Sequence, residues 1–108
     1  MVAQELPEVA RIFTTKVNSN GNVSIPRHLI DLYGVEMGDK VTMTVVSIIR
    51  ENHEISLKKW SPETRTFTKT VNYGYRVNLP TPLMRFLGIR KGDYITVILH
   101  AVHKGGEK

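Results

Sequence analysis

Apolar and polar positions alternate in short bursts along the chain, with turn-forming residues between them. The stretches Arg11–Asn18 and Arg65–Asn72 are rich in Thr, Val and Phe and predict strands. Asn20-Gly21 follows the first and Tyr73-Gly74 the second, each marking a tight turn. Further strands are expected over Asn22–Ile25 and Tyr75–Leu79, ended by Pro26 and Pro80. Short helices come next, over Arg27–Tyr33 and Pro82–Leu87, the second with Thr81 as its N-cap and Pro82 at its first position. Gly34 and Gly88 stop these helices. Gly38-Asp39 and Gly92-Asp93 then turn the chain into its two longest strands, Lys40–Arg50 and Tyr94–Val102. Only the first of these continues through a hairpin, at Glu51-Asn52, into another strand over Glu54–Trp60. Ser61-Pro62-Glu63 links the two series.

The two series are copies of one pattern. Shifting the 108-residue sequence by half its length, 54 positions, aligns Arg11 with Arg65, Phe13 with Phe67, Val23 with Val77 and Pro26 with Pro80. Gly34 meets Gly88, Gly38-Asp39 meets Gly92-Asp93, and 12 identities fall between Arg11 and Ile48 without a gap. Average composition gives roughly two or three by chance. One copy of four short strands and a two-turn helix buries too little apolar surface to fold alone, so the two must share a core. The organisation expected is a first repeat over 1–60, a linker over 61–66 and a second repeat over 67–108, together forming one pseudo-twofold β-barrel.

Each copy approximates one string, G-x-V-x-I-P, then a short helix, then L-G-[VI]-x-x-G-D-x-[VI], with departures in both. Tyr75 and Leu79 replace its Gly and Ile in the second copy, and Tyr33 separates Leu32 from Gly34 in the first. The first copy reads Gly21-Asn22-Val23-Ser24-Ile25-Pro26, then Leu32-Tyr33-Gly34-Val35 and Gly38-Asp39-Lys40-Val41. The second reads Tyr75-Arg76-Val77-Asn78-Leu79-Pro80, then Leu87-Gly88-Ile89 and Gly92-Asp93-Tyr94-Ile95. Ile55–Pro62 looks like a closing strand. This pattern resembles the SpoVT/AbrB-like swapped-hairpin family, over about Phe13–Pro62 and Phe67–Val102. The resemblance implies a mostly β, swapped-hairpin barrel that binds double-stranded DNA, in a prokaryotic transcription regulator or the DNA-binding half of an antitoxin. It also implies contacts from bases near the first strand, after the turn and along the helix. On that basis Lys69, Arg76 and Arg85 match basic positions of the motif in the second copy. The first copy offers Lys16, with Asn22 and Asp31 where arginines are expected and Arg27 and His28 at its helix start. Tyr75, beside Arg76 at the turn, is the aromatic best placed for a contact.

Composition narrows the partners. The chain is 41% hydrophobic and 23% charged, as an ordinary globular protein is. No apolar run reaches the roughly 18 residues of a membrane span. Glu5 and Glu8 do not suit a signal peptide, and there is no cysteine for a disulfide or thiolate metal site, so the expected location is the cytoplasm. The net charge of +5 is unevenly divided. Residues 1–54 carry five bases against seven acids, a net −2, and residues 55–108 ten bases against three acids, a net +7. Clustered bases are the footprint of phosphate contact.

Other chemistry is weaker. His100 and His103, three apart on a strand, are expected to face opposite ways, and His28 and His53 lack ligand partners, so no metal site is expected. Asp39 and Asp93 follow turn glycines and read as local backbone acceptors rather than a catalytic pair. Trp60, Tyr73 and Tyr75 read as core covers before stacking platforms. No nucleophile–base pair or cofactor motif points to an enzyme, and no cofactor is expected. The alternative reading is an antitoxin-type protein-interaction module, against which stands the short polar stretch after Ala101-Val102. A homodimer or higher oligomer is compatible with the repeat.

Overall fold

The computed structural model describes residues 11–105; Glu5, Glu8, Gly106, Glu107 and Lys108 lie outside it. The described chain is mostly β. In order it forms β1 (Ile12–Lys16), β2 (Asn22–Ser24), α1 (Arg27–Tyr33), β3 (Lys40–Arg50), β4 (His53–Ser56), β5 (Thr66–Asn72), β6 (Arg76–Asn78), α2 (Thr81–Leu87) and β7 (Tyr94–His103). The bounds of α1 and β3 coincide with those predicted. The linker carries a 3-10 turn over Pro62–Arg65, and β5 already begins at Thr66. The strand expected over Glu54–Trp60 shrinks to β4, because Leu57 turns into the core and Trp60 donates its N–H back to the Leu57 carbonyl at 3.0 Å.

Each helix is two turns long, with an apolar anchor: Leu29 in α1 and Leu87 in α2 are buried. Both end on a glycine in the left-handed region, Gly34 at φ 65° and Gly88 at φ 76°, whose N–H bonds a carbonyl four residues back. The N-cap of α2 is Pro80 instead of Thr81, with Thr81 inside the helix and no side-chain cap. Proline's fixed φ already suits the extended residue that precedes a helix, so the hydroxyl is not needed there.

All ladders are antiparallel, and the seven strands make one sheet path, β1-β7-β3-β5-β6-β2, with β4 on the other part of β3. The path is not closed into the expected barrel. Its ends β1 and β2 approach without a ladder, joined only by a Ser24 N–H to Thr15 Oγ1 bond of 3.4 Å. Most ladders cross between the first and second halves of the sequence: β1 on β7, β2 on β6, β3 on β5 and on β7. One core results, drawing Val17, Val23, Leu29, Val41 and Met43 from one half and Val71, Val77, Ile95, Val97 and Leu99 from the other.

The β3–β7 ladder is interrupted twice, between Thr42 and Met43 and between Val45 and Ser47, where His100 and Val46 respectively are the extra residues. The first bulge overturns the expectation for the histidines. It shifts the side-chain alternation by one residue, so His100 and His103 reach the same face of the sheet. Their Nε2 atoms lie 2.7 Å from the Thr44 hydroxyl and 3.1 Å from the Thr42 hydroxyl. These threonines continue across to Thr66 and Thr68 on β5, at 2.6 and 2.8 Å. A strand of strict period 2 would have separated the two rings.

Candidate nucleic-acid interface

The outward surface of β2 and β6 follows from burial of its central pair. Val23 and Val77 face each other across the ladder and are fully buried. Alternation then turns Asn22 and Ser24 outward on one strand and Arg76 and Asn78 on the other, with Arg76 opposite Ser24. Arg76 and Asn78 are exposed. The sequence-derived residues thus meet in an interleaved order. Arg76 of the second half sits beside the strand that leads into α1, and the Ile25 N–H bonds the Tyr75 carbonyl at 3.1 Å. Reciprocally, the Leu79 N–H bonds the Gly21 carbonyl at 3.0 Å, and Gly21 lies against Met84 of α2, the neighbour of Arg85.

Lys69 lies next to this surface. It is half-buried on β5 opposite Val41 and lines a shallow groove of about 540 Å³ with Lys40, Thr68, Thr70, Asn72 and Asn78. Asn72 pairs with Arg76 and Asn78 is two residues from it, so groove and ribbon are continuous. Lys40, from the first half, is a base that sequence reasoning missed; its signal was its place at the head of β3, which faces β5 in the fold. Arg85 is exposed in the last turn of α2. Arg27 is exposed too, but an ion pair with Asp31 at 3.4 Å engages it. Such an exposed pair is worth at most about 1 kcal/mol and yields readily to a phosphate. Lys16 is not part of this group. It ends β1 opposite Tyr94 and lines a separate cavity with Asn18, Ser19, Lys91 and Gly92.

Tyr75 is half-buried at φ 59°, packed against the core, which leaves little of its ring for stacking. Tyr73, at 87% exposure, is the free aromatic of that turn. Trp60 packs against Phe86 with ring centroids 4.3 Å apart and the rings tilted by 50°. Among the described residues no three His, Asp or Glu side chains gather where a metal ion would sit.

Asp39 and Asp93 are buried acceptors at the turns that launch β3 and β7, in keeping with the local-backbone reading. Asp39 Oδ2 accepts the Glu36 N–H at 2.8 Å, and Asp93 Oδ2 accepts the Arg90 N–H at 2.8 Å. Each also holds a base that sequence reasoning had not paired with it. Arg50 Nε and Nη2 donate to the two oxygens of Asp93 at 2.9 and 2.7 Å, and Nη2 also reaches the Gly88 carbonyl. Lys104 Nζ donates to Asp39 at 2.8 Å and to the Gly34 carbonyl. The Arg50 hydrogen bond leads in holding the Asp93 carboxyl below its usual range, against the opposing effect of burial. For Asp39 burial is the largest influence and pushes upward, but bonds from Lys104 and from the Gly105 and Glu36 N–H groups together outweigh it, and that carboxyl is lowered too. Arg50 and Lys104 lie 54 positions apart, a correspondence that the sequence already contains beyond Ile48.

No family model matches the chain, and no curated protein does. A solved structure that does match is the solution structure of PHS018 from Pyrococcus horikoshii, at 28% identity and a TM-score of 0.65. The alignment covers 90% of this chain and 96% of that one. The similarity therefore extends over the whole arrangement of strands and helices, not over one motif.

Proposed function

We propose that the chain is a double-stranded DNA-binding protein, a transcription regulator of the SpoVT/AbrB-like kind, in which two tandem hairpin units interleave within one molecule. The observation that carries this reading is the β2–β6 ribbon with Arg76 and Asn78 outward, continuous with the Lys40–Lys69 groove. Side chains of these types serve duplex recognition in two ways: bases neutralise phosphates, while arginine and asparagine also read base edges.

The ladder registers support the tandem, swapped-hairpin part of the reading. Phe13 pairs with Val97, and their counterparts 54 positions along, Phe67 and Met43, pair with each other. Val23 faces its own counterpart Val77, and Thr44 faces its own counterpart Ile98. A twofold relation between the halves would run through those two pairs. The seam between β1 and β2 stays open, so the interleaved units form an open sheet and not a barrel. The interface is unequal about that relation, since Arg76 and Arg85 correspond to Asn22 and Asp31.

The test is anisotropy of a labelled random duplex, and of one selected from a random-sequence library, titrated with salt. Affinity should fall linearly with salt on logarithmic axes. Arg76→Ala and Arg85→Ala should each weaken the selected duplex by about 1–3 kcal/mol, far more than Asn22→Ala. Equal, negligible effects of all three would reject the site, and no retention at low salt would reject the function.

A further inference from the structure

The turn between α2 and β7 carries a second concentration of bases that the ribbon does not use. Two cavities of about 440 Å³ each adjoin there, sharing Lys91 and Gly92. Lys16, Asn18 and Ser19 line one; Arg50, Arg90 and Tyr94 line the other together with the acids Glu51 and Asp93, the latter engaged by Arg50. Lys16, Arg90 and Lys91 are exposed, and none enters an ion pair among the described residues. Arg50 differs, being engaged by Asp93.

The turn that presents these bases is fixed. The Gly92 N–H bonds the Val17 carbonyl at 2.7 Å, the Val17 N–H bonds the Asp93 carbonyl at 2.8 Å, and Asp93 clamps Arg90 N–H and Arg50. A rigid platform spends less ordering entropy when it binds. The corresponding turn of the first half has the same clamps: Gly38 N–H on the Val71 carbonyl at 2.9 Å, Val71 N–H on the Asp39 carbonyl at 2.7 Å, and Asp39 on Glu36 N–H. There, however, Glu36 and Met37 stand in place of Arg90 and Lys91, and Thr70 in place of Lys16. One backbone thus tolerates either set of residues, so the fold does not require bases at this turn.

We propose that Lys16, Arg90 and Lys91 form a phosphate-binding site for the backbone of duplex DNA, separate from the ribbon and indifferent to base sequence. This rests on the DNA-binding reading above and extends its footprint to one end of the molecule. Contacts of this kind set affinity and orientation, whereas Arg76 and Asn78 on the ribbon are placed to discriminate.

The test replaces the turn's bases with the residues of its counterpart, Arg90→Glu with Lys91→Met, in the full chain. An unchanged melting temperature is expected and shows that the fold is kept. Anisotropy titrations should show the slope of log affinity against log salt reduced by about 2, close to 0.9 for each phosphate no longer neutralised. Affinity for random and selected duplexes should fall by the same factor, leaving their ratio intact, while Arg76→Ala lowers the ratio. Lys16→Gln should remove about one further unit of slope. Wild-type binding with a slope unchanged in the double variant would overturn this site and leave the ribbon standing. A change confined to a hairpin RNA probe would overturn the assignment to duplex DNA. Absence of wild-type binding would reject both.

Discussion

Asp93 illustrates how a single buried residue can be structural while looking catalytic. Its carboxylate accepts three hydrogen bonds, two from Arg50 and one from the Arg90 backbone, which ties the end of β3 to the start of β7. Removing charge-assisted bonds of this sort costs about 1.5–3 kcal/mol, so Asp93→Asn should lower stability by about 2 kcal/mol. Asp39→Asn should cost less, because its partner Lys104 is 40% exposed and holds a single flexible amine. Both carboxyls are depressed in the fold relative to the unfolded chain. Their contribution is complete above the unfolded value of about 4 and is lost as the pH falls from there through the folded values. Urea midpoints measured from pH 7 down to pH 2 should therefore drop for the wild type below about pH 4, and Asp93→Asn should flatten that drop. A midpoint for Asp93→Asn that tracks the wild type throughout would show that the clamp adds nothing. The turn role of Asp39 and Asp93 was legible from Gly-Asp spacing, but their cationic partners were not. Arg50 and Lys104 approach only because β3 and β7 lie side by side.

Element boundaries are legible wherever local chemistry decides them. Pro26 and Gly34 bracket α1, so α1 could be delimited from these two residues alone. The bulges at Val46 and His100 have no comparable local cue, since the extra residue is imposed by registry between two long strands. For that reason strand period alone gives the wrong facing for His100 and His103. Backbone sign gives a pair of opposed expectations at this scale. Gly34 has φ 65°, and a Cβ there would meet nothing within 4 Å, so Gly34→Ala should lose about 1 kcal/mol purely through backbone strain. Glu51 and Asn52, in the β3–β4 hairpin, hold φ 52° and 66° without being glycine. Glu51→Gly should therefore cost nothing or gain a few tenths of a kcal/mol, the relief of strain offsetting the greater freedom of the unfolded chain. Chemical unfolding of the two variants should move their midpoints in different directions or leave Glu51→Gly unmoved. A loss at Glu51 as large as at Gly34 would contradict the backbone argument.

Charge at the scale of the whole molecule is not arranged as it is along the sequence. The −2 and +7 halves pointed to a basic face dominated by the second repeat, yet β6 lies against β2 and β5 against β3. Bases from both halves consequently share one surface, as Lys40 and Lys69 do. The self-similarity of the sequence at an offset of 54 was legible, because it needs only a comparison of the chain with itself. Which strand pairs with which was not, because pairing is decided by where apolar faces find cover. That interleaving makes a sharp expectation for a chain cut in the linker, between Glu63 and Thr64. The N-terminal piece would leave β3 without β5 and β7, and the C-terminal piece would leave β7 without β1 and β3. Val41, Met43, Val45, Ile95, Val97 and Leu99, all fully buried in the intact fold, would then face water. At about 1.5–3 kcal/mol for each such side chain, the three in either piece forfeit about 5–9 kcal/mol, which is comparable with the whole stability of a typical domain, about 5–15 kcal/mol. Neither piece should melt cooperatively as a monomer. Mixed in equal amounts they should recover a 1:1 complex with the β-rich circular dichroism of the intact chain, at a melting temperature that rises with concentration. Cooperative, concentration-independent melting of either piece alone would show that its strands find cover without the other, and the shared core would have to be abandoned.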